Sequence, residues 1–466
     1  MKSTYLIILS SLFLLSCTNF LDEESTGTMS IDSNLSSVES CTALANSTYV
    51  NTNVFDANEG TWGGNTIWLL EFMTGKVNSE ASQTEFLDFR NLTVNSRSRY
   101  IEKWWADCYA GIAKANLAIK KIPEFSGVDK NIRSRLLGEA YFMRALYYFY
   151  LVRIFGDLPK ITEVQSELAE LYIPRSPIKE IYDEIIIPDL LNAEQSSLPI
   201  KDETGRVSMG AVKSLLADVY LTYAGFPVQG GKKYYAESAK KSLEVISSGV
   251  YSLYPEYSDL RQPSNNNKKE FIFQVQFSMD KSHNDMIPKV LPPKSDISAY
   301  SSEYGSLVPT KEFYESFREN DKRAQEREFF FSSYPGNPKK LPADSPNLEK
   351  VDFGGFYIYK FFDENAIVNT AKSDLNWTLY RYADVLLMYA EAQVEADGHF
   401  ELCFEGKIWF DMVRTRKIRN DFNGKYENFT EYTTVYGKRY TNQFLLFPLP
   451  QREMNANTAL VQNEGY

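Results

Sequence analysis

Histidine is almost missing from this chain. There are two in 466 residues, His283 and His399, and they lie too far apart for a helical HExxH zinc pair. No P-loop, GxSxG elbow or EF-hand loop is present. Acidic residues are so common that adjacent pairs such as Asp22 and Glu23 carry no glycosidase signature. These absences argue against an enzyme. Cysteine is also scarce: Cys17, Cys41, Cys108 and Cys403, with no CxxC spacing. Neither a disulfide framework nor a zinc site is implied, and no metal or cofactor is expected. Cys108 and Cys403 fall in helical patterns and read as small buried apolar residues. Positive charge is in deficit, with 50 Lys and Arg against 61 Asp and Glu, a net charge of −11. That excludes nucleic acid and anionic membrane surfaces as partners.

What is present is organised around Leu136–Pro159. Leu136, Ala140, Met143, Tyr147, Leu151 and Ile154 share one helical face, and Leu137, Tyr141, Leu146 and Tyr148 widen it until little of the circumference is polar. Such a helix is buried between neighbours. Glu139, Arg144 and Arg153 interrupt it, so it is a poor membrane span. Gly156 supplies a stop and Pro159 prevents resumption.

Met1–Cys17 reads as a targeting segment, with Lys2 ahead of an apolar run from Tyr5 to Leu15. Leu14-Leu15-Ser16-Cys17 resembles a bacterial lipobox, which would make residues 1–16 a signal peptide and Cys17 a lipidated first residue. The alternative is an ordinary secretory signal in which Cys17 is incidental. Acylation would hold the protein to a membrane with no spanning segment. Residues 17–36 are polar and acidic and suit a tether. Asp22, Glu23 and Glu24 also resemble the surface-export signal of Bacteroidetes lipoproteins.

Residues 37–250 read as a helical region. Helices are predicted over Ser37–Asn51, Arg99–Ile122, Lys130–Phe155, Ser176–Ser196 with a kink or split at Pro188, Ser208–Ala224 and Tyr234–Ser248. Residues 251–466 change texture. Phe271–Phe277 is the best strand. Ser282–Val308 and Ser333–Asn347 are long loops of the kind that carry function. Leu379–Asp397 and Leu402–Arg416 predict a last helical hairpin, and Phe444–Tyr466 an extended tail. The fold class is all-α in the main: divergent helix pairs of solenoid type packed against a loop-rich lobe with a few short strands.

Several segments then resemble one family. Glu139–Pro159, EAYFMRALYYFYLVRIFGDLP, is similar to the signature helix of the SusD/RagB family. Trp105–Tyr109 with Ala115-Asn116, Gly205-Arg206-Val207, Leu379–Leu387 with Ala390-Glu391-Ala392, and Phe447–Pro450 with Gln462–Tyr466 resemble its other elements in order. Pro188 and Tyr380 depart from its pattern. The resemblance implies tetratricopeptide-like helix pairs and an outer-membrane, lipid-anchored location facing the cell exterior. It also implies a non-catalytic role: capturing a nutrient glycan and passing it to a SusC-like TonB-dependent transporter.

Aromatic residues make up 14% of the chain. Sugar rings lie flat on aromatic faces while planar polar groups bind their hydroxyls. Tyr141, Phe142, Tyr147, Tyr148 and Phe149 sit at helical spacing and read as core. Trp105 is assigned to the core too, and Trp104, about 100° round the helix, to a surface. The loop aromatics are the ligand candidates: Trp62 and Trp68 with Asn58, Glu59 and Asn65, and Tyr300 and Tyr304 with Asp296 and Glu303. His283 is a further candidate contact. A helical scaffold that binds another protein or a peptide is the alternative, and a cell-surface hydrolase a third. An exposed concave aromatic cluster favours glycan capture over the scaffold, and two convergent carboxylates in a cleft would favour the hydrolase.

Overall fold

The computed structural model describes residues 37–55, 69–81, 88–165, 172–284, 286–298, 302–370, 372–397, 417–419, 426–428 and 446–466. The longer helices over these residues are α1 (Val38–Ser47), α2 (Arg99–Lys121), α3 (Lys130–Phe155), α4 (Ile178–Ile181 continuing into Ile187–Glu194), α5 (Met209–Ala224), α6 (Lys232–Ser247) and α7 (Tyr382–Asp397). Side-chain caps start several of them: Ser37, Asp129 and Ser208 each accept from backbone N–H groups of the first turn. α3 ends at Gly156, whose φ of 77° suits only glycine without strain. The predicted hairpin of Leu402–Arg416 with α7 lies outside the described residues, as does Cys403.

α3 is the centre of the core. Sixteen of its residues are buried, and α2 and α4 both pack against it. α2 approaches closely because Gly111 leaves room for the Tyr147 ring; a Cβ there would lie 2.4 Å from it. The main apolar cluster extends from Val54 to Leu460 and takes in α2 to α5, strand residues and Phe447 and Leu449 of the tail. A smaller cluster of Ile287, Leu291, Ile297, Phe331, Tyr334, Tyr357, Tyr359 and Phe362 lies inside the loop-rich lobe.

The three charged residues that interrupt α3 each find a partner on another element. Glu139, fully buried, accepts from Arg206 Nε at 3.1 Å and Nη2 at 2.5 Å, and from the Tyr49 hydroxyl at 2.8 Å. Arg144 donates twice to Asp189 of α4 at 2.7 Å, and to Asn116 Oδ1 of α2 at 2.9 Å. Arg153 lies 3.9 Å from Asp218 of α5, whose carboxylate also accepts from the Tyr380 hydroxyl at 2.7 Å. These pairs fix how the helices sit against α3. Truncating one partner of a buried pair leaves an uncompensated charge.

Helical structure continues across Pro188 to Glu194. A π-turn at Tyr182–Ile186 carries the helix through, and Ile187 N–H donates to Tyr182 C=O, five residues back. The wider turn accommodates the proline ring and its missing donor. Trp104 is a correction: it is fully buried. Phe89 and Phe447 pack edge-on against it at 5.9 Å, closing a side of α2 that looks open in the sequence. Trp105, Cys108 and Cys41 are buried, and both cysteines are free thiols.

Short strands are β1 (Val77–Asn78), β2 (Leu158–Pro159), β3 (Arg175–Ser176), β4 (Phe271–Val275), β5 (Val308–Pro309), β6 (Phe330–Tyr334), β7 (Val351–Ile358), β8 (Trp377–Arg381), β9 (Lys417–Arg419) and β10 (Tyr426–Asn428). They form two-stranded antiparallel ribbons: β1 with β5, β2 with β3, β4 with β8, β6 with β7, and β9 with β10. Leu379–Arg381 is therefore strand, not the start of a helix. Pairing with β4, about a hundred residues earlier, overrides the local helical pattern. The Asp384 carboxylate accepts from Arg381 N–H at 3.0 Å and starts α7 at Tyr382.

The tail is extended apart from one helical turn, Gln451–Ala456. It closes the open end of α3: Phe447 N–H donates to Ile154 C=O at 2.8 Å, and Asn463 Nδ2 to Phe155 C=O at 3.0 Å. These are carbonyls that a helix end leaves without internal partners.

Candidate functional site

Two of the loops singled out in the sequence are joined at their stems. Val77 pairs with Pro309 and Asn78 with Val308 in the β1–β5 ribbon. Beyond the ribbon on one side, Thr310 N–H donates to Lys76 C=O at 2.8 Å; on the other, Glu80 N–H donates to Gly305 C=O at 2.8 Å. Gly305 takes a φ of 54°, and a Cβ there would lie 2.7 Å from Pro293, so the crossing needs glycine twice over. The chain that leads out of Trp68 and the chain that leads out of Tyr300 and Tyr304 thus run side by side.

A second support comes from beneath. The Tyr357 hydroxyl of β7 lies 2.9 Å from both carboxylate oxygens of Glu80. Burial, with the Glu80 carboxylate adding to it, pushes the Tyr357 phenol up, so it stays a donor across the neutral range. The small apolar cluster of the lobe includes Tyr357, Ile287, Leu291 and Ile297. The loop over residues 286–298 is thereby packed, and it returns to the ribbon through Gly305 N–H to Leu291 C=O at 2.8 Å.

Glu303 clasps the tip. Its side chain is 5% exposed and accepts from Asp296 N–H at 3.1 Å and Ser298 N–H at 3.3 Å. Lys340 Nζ, from the loop after β6, donates to it at 3.3 Å and stands 3.9 Å from Asp296. Asn337 N–H donates to Asp296 C=O at 3.0 Å. The two long loops of the C-terminal half are therefore fastened to each other, with an acidic and a basic side chain, Asp296 and Lys340, at the surface.

Tyr304 is half-buried beside this clasp, next to Gly305. His283, also half-buried, belongs to a different turn. Its neighbour Asn284 ties that turn to the chain before β8 through Ser373 C=O at 2.9 Å and Leu375 C=O at 2.8 Å. Asn58, Glu59, Trp62, Asn65, Trp68, Tyr300, His399 and the lipidation candidate Cys17 lie outside the described residues. Sequence reasoning missed Glu80, Tyr357 and Lys340. No local pattern marks them, because each acts through a partner far along the chain. Among the described residues no group of three or more His, Cys, Asp or Glu is placed to hold a metal ion. Nor is any helix there long and apolar enough to cross a membrane.

Comparison with known proteins gives consistent results. Residues 19–221 match a SusD-like family described as starch-binding and associating with the outer membrane. Residues 336–400 and 399–466 match the SusD family. A crystal structure of a SusD superfamily protein from Parabacteroides distasonis is 57% identical, with 92% of this chain and 99% of that one covered and a TM-score of 0.84. SusD-like protein P2 of Formosa agariphila is 26% identical over 100% of this chain and 99% of its own length. The surface glycan-binding protein A of Bacteroides thetaiotaomicron, solved with laminarihexaose, shares the fold with a TM-score of 0.68 at 18% identity, over 91% and 99% of the two chains. The helix pairs, the loop-rich lobe and the tail that seals α3 agree with a likeness that runs nearly end to end, and the chain belongs to the SusD/RagB family.

Proposed function

We propose that this chain is a cell-surface lipoprotein that captures an oligo- or polysaccharide and delivers it to a SusC-like TonB-dependent transporter without altering it. The observation that carries the reading is the stem pairing of β1 with β5, braced by Tyr357 and Glu80. It joins the chain that follows residue 68 to the chain that follows residue 301 on a packed base, and in this account the Asn58–Trp68 and Ser282–Val308 loops meet there. Rings from two loops on one rigid stem form a stacking platform at low ordering cost. Trp62, Trp68, Tyr300 and Tyr304 supply the rings in this account, and Asn58, Asn65 and Asp296 the hydroxyl contacts. His283 is a further contact in this account, on the turn that Asn284 ties to the chain before β8. Glycan binding by relatives such as the laminarihexaose complex supports the ligand class.

Lipid on Cys17 would hold the chain at the outer membrane, with residues 17–36 as tether. The helical region over 37–250 would support the transporter contact, and residues 251–466 would carry most of the ligand platform. The test is affinity electrophoresis against a polysaccharide panel, followed by Trp62→Ala and Trp68→Ala. Retardation by one polymer class that either substitution abolishes in a folded protein supports the platform. Unchanged binding in both variants removes these tryptophans from it.

A further inference from the structure

A second feature lies at β8. β8 leaves Trp377 and Arg381 partly exposed. The Phe361 ring stacks on Trp377, centroids 5.0 Å apart and planes at 25°. The neighbouring Lys360 holds its ammonium 5.2 Å from the centre of Phe361 and 5.7 Å from that of Phe329. Phe329 packs on Phe317 at 5.9 Å, and the Arg323 guanidinium lies 5.1 Å over Phe317. All of these side chains keep some solvent exposure. The result is a ledge of aromatic rings with a cation set into it.

The ammonium of Lys360 stands out in its surroundings. Among the described residues it reaches no carboxylate and no hydrogen-bond acceptor; the two aromatic faces are its recorded contacts. Four charged groups bear on it: the guanidinium groups of Arg381 and Arg323 and the carboxylates of Asp384 and Glu71. Arg381 is engaged by Glu270 at 2.8 Å and lies 3.9 Å from Asp384. Arg323 is engaged by Asp321 at 2.6 Å. Of these three cations, Lys360 is the one with no ion-pair partner among the described residues. Burial and the Arg381 charge pull its pKa down, which marks an ammonium short of compensation. Aromatic faces compensate an ammonium only in part. A neutral hydroxyl would accept one hydrogen bond and leave the charge, whereas an anionic oxygen would answer both.

We infer that Lys360, with Trp377, Phe361 and Phe329, forms a contact surface for an anionic saccharide, its carboxylate or sulfate ester on the ammonium and its ring faces against the aromatics. This rests on the glycan-binding reading and narrows its substrate class to acidic glycans.

The test is calorimetry on the full chain in detergent, at low and high salt, with tetragalacturonate, a sulfated galactan tetrasaccharide and neutral laminarihexaose. Lys360→Met keeps the stem and removes the charge; Lys360→Arg restores it. At least one acidic ligand should bind more tightly than laminarihexaose. Its affinity should fall by about tenfold or more in Lys360→Met, roughly the loss of one charge-assisted hydrogen bond. It should weaken with salt and recover in Lys360→Arg, with laminarihexaose indifferent to both substitutions. Which acidic ligand responds tells carboxylate from sulfate. Acidic ligands that bind no better than laminarihexaose, or that ignore Lys360→Met, overturn the inference while neutral binding upholds the broader reading. Failure of all three ligands together with a full polysaccharide panel overturns both.

Discussion

Arg144 and Asp189 meet in a fork of two 2.7 Å hydrogen bonds inside the core, with 9% and 4% of their side chains exposed. They lock α3 to α4 immediately after the proline that the π-turn accommodates. Arg144→Met should cost about 3–5 kcal/mol, since it strands a buried carboxylate. The double variant Arg144→Met/Asp189→Leu should recover much of that loss. Urea unfolding of the three proteins checks it, and a double variant no better than the single would contradict it.

Gly111 is held to glycine by packing. A methyl group there would meet the Tyr147 ring at 2.4 Å, and Tyr147 is itself fixed by donating to Thr48 C=O at 2.8 Å. Gly111→Ala should therefore destabilise by about 1–3 kcal/mol despite its better helix propensity. A thermal melt at or above the parent value would refute the close approach of α2 to α3.

The positions of α2, α3 and α5 are legible in the sequence because helical periodicity is a local signal, and the caps of α3 and α5 are short-range. The strand at Trp377–Arg381 is not, because what decides it is β4, remote in sequence. The burial of Trp104 was hidden for a similar reason: the residues that cover it, Phe89 and Phe447, come from a loop and from the tail. At the candidate site the aromatic loops were visible in composition. Glu80 and Tyr357, which brace the β1–β5 stem, and Lys340, which joins the Glu303 clasp, were not, since a bracing residue has no signature apart from its partner.

Glu303 is the clasp of the loop lobe, and its two backbone bonds make it sensitive to charge and shape. Glu303→Gln should place an amide donor against N–H groups and loosen Asp296, Ser298 and Lys340 together. Glycan affinity is expected to fall about tenfold, with a stability loss of only about 1–2 kcal/mol. Calorimetric titration beside a thermal melt separates the two effects. Unchanged affinity would take the clasp out of the ligand platform.

Alkaline stability follows from the buried phenols. Burial raises Tyr150 and Tyr220 to about 12 and Tyr147, Tyr49 and Tyr380 well upward. A phenol whose folded pKa lies above its unfolded value near 10 releases its proton more readily once unfolded. The stability these groups contribute is intact below about pH 10 and is lost as pH rises toward the folded values. Tyrosinate absorbance should rise in step with loss of helical circular dichroism above about pH 10. A full tyrosinate signal from a still-folded chain would contradict the burial described for these side chains.

The central claim is that this chain binds glycan and leaves it unaltered. The most direct test incubates the full chain with a panel of plant, host and microbial polysaccharides, measuring retention by affinity electrophoresis and examining each polymer afterward for new reducing ends. The account predicts retention by at least one polymer class, with no reducing ends formed over long incubation. Cleavage of the retained polymer, or no retention by any class either for the chain alone or for the chain co-purified with its outer-membrane partners, would contradict it.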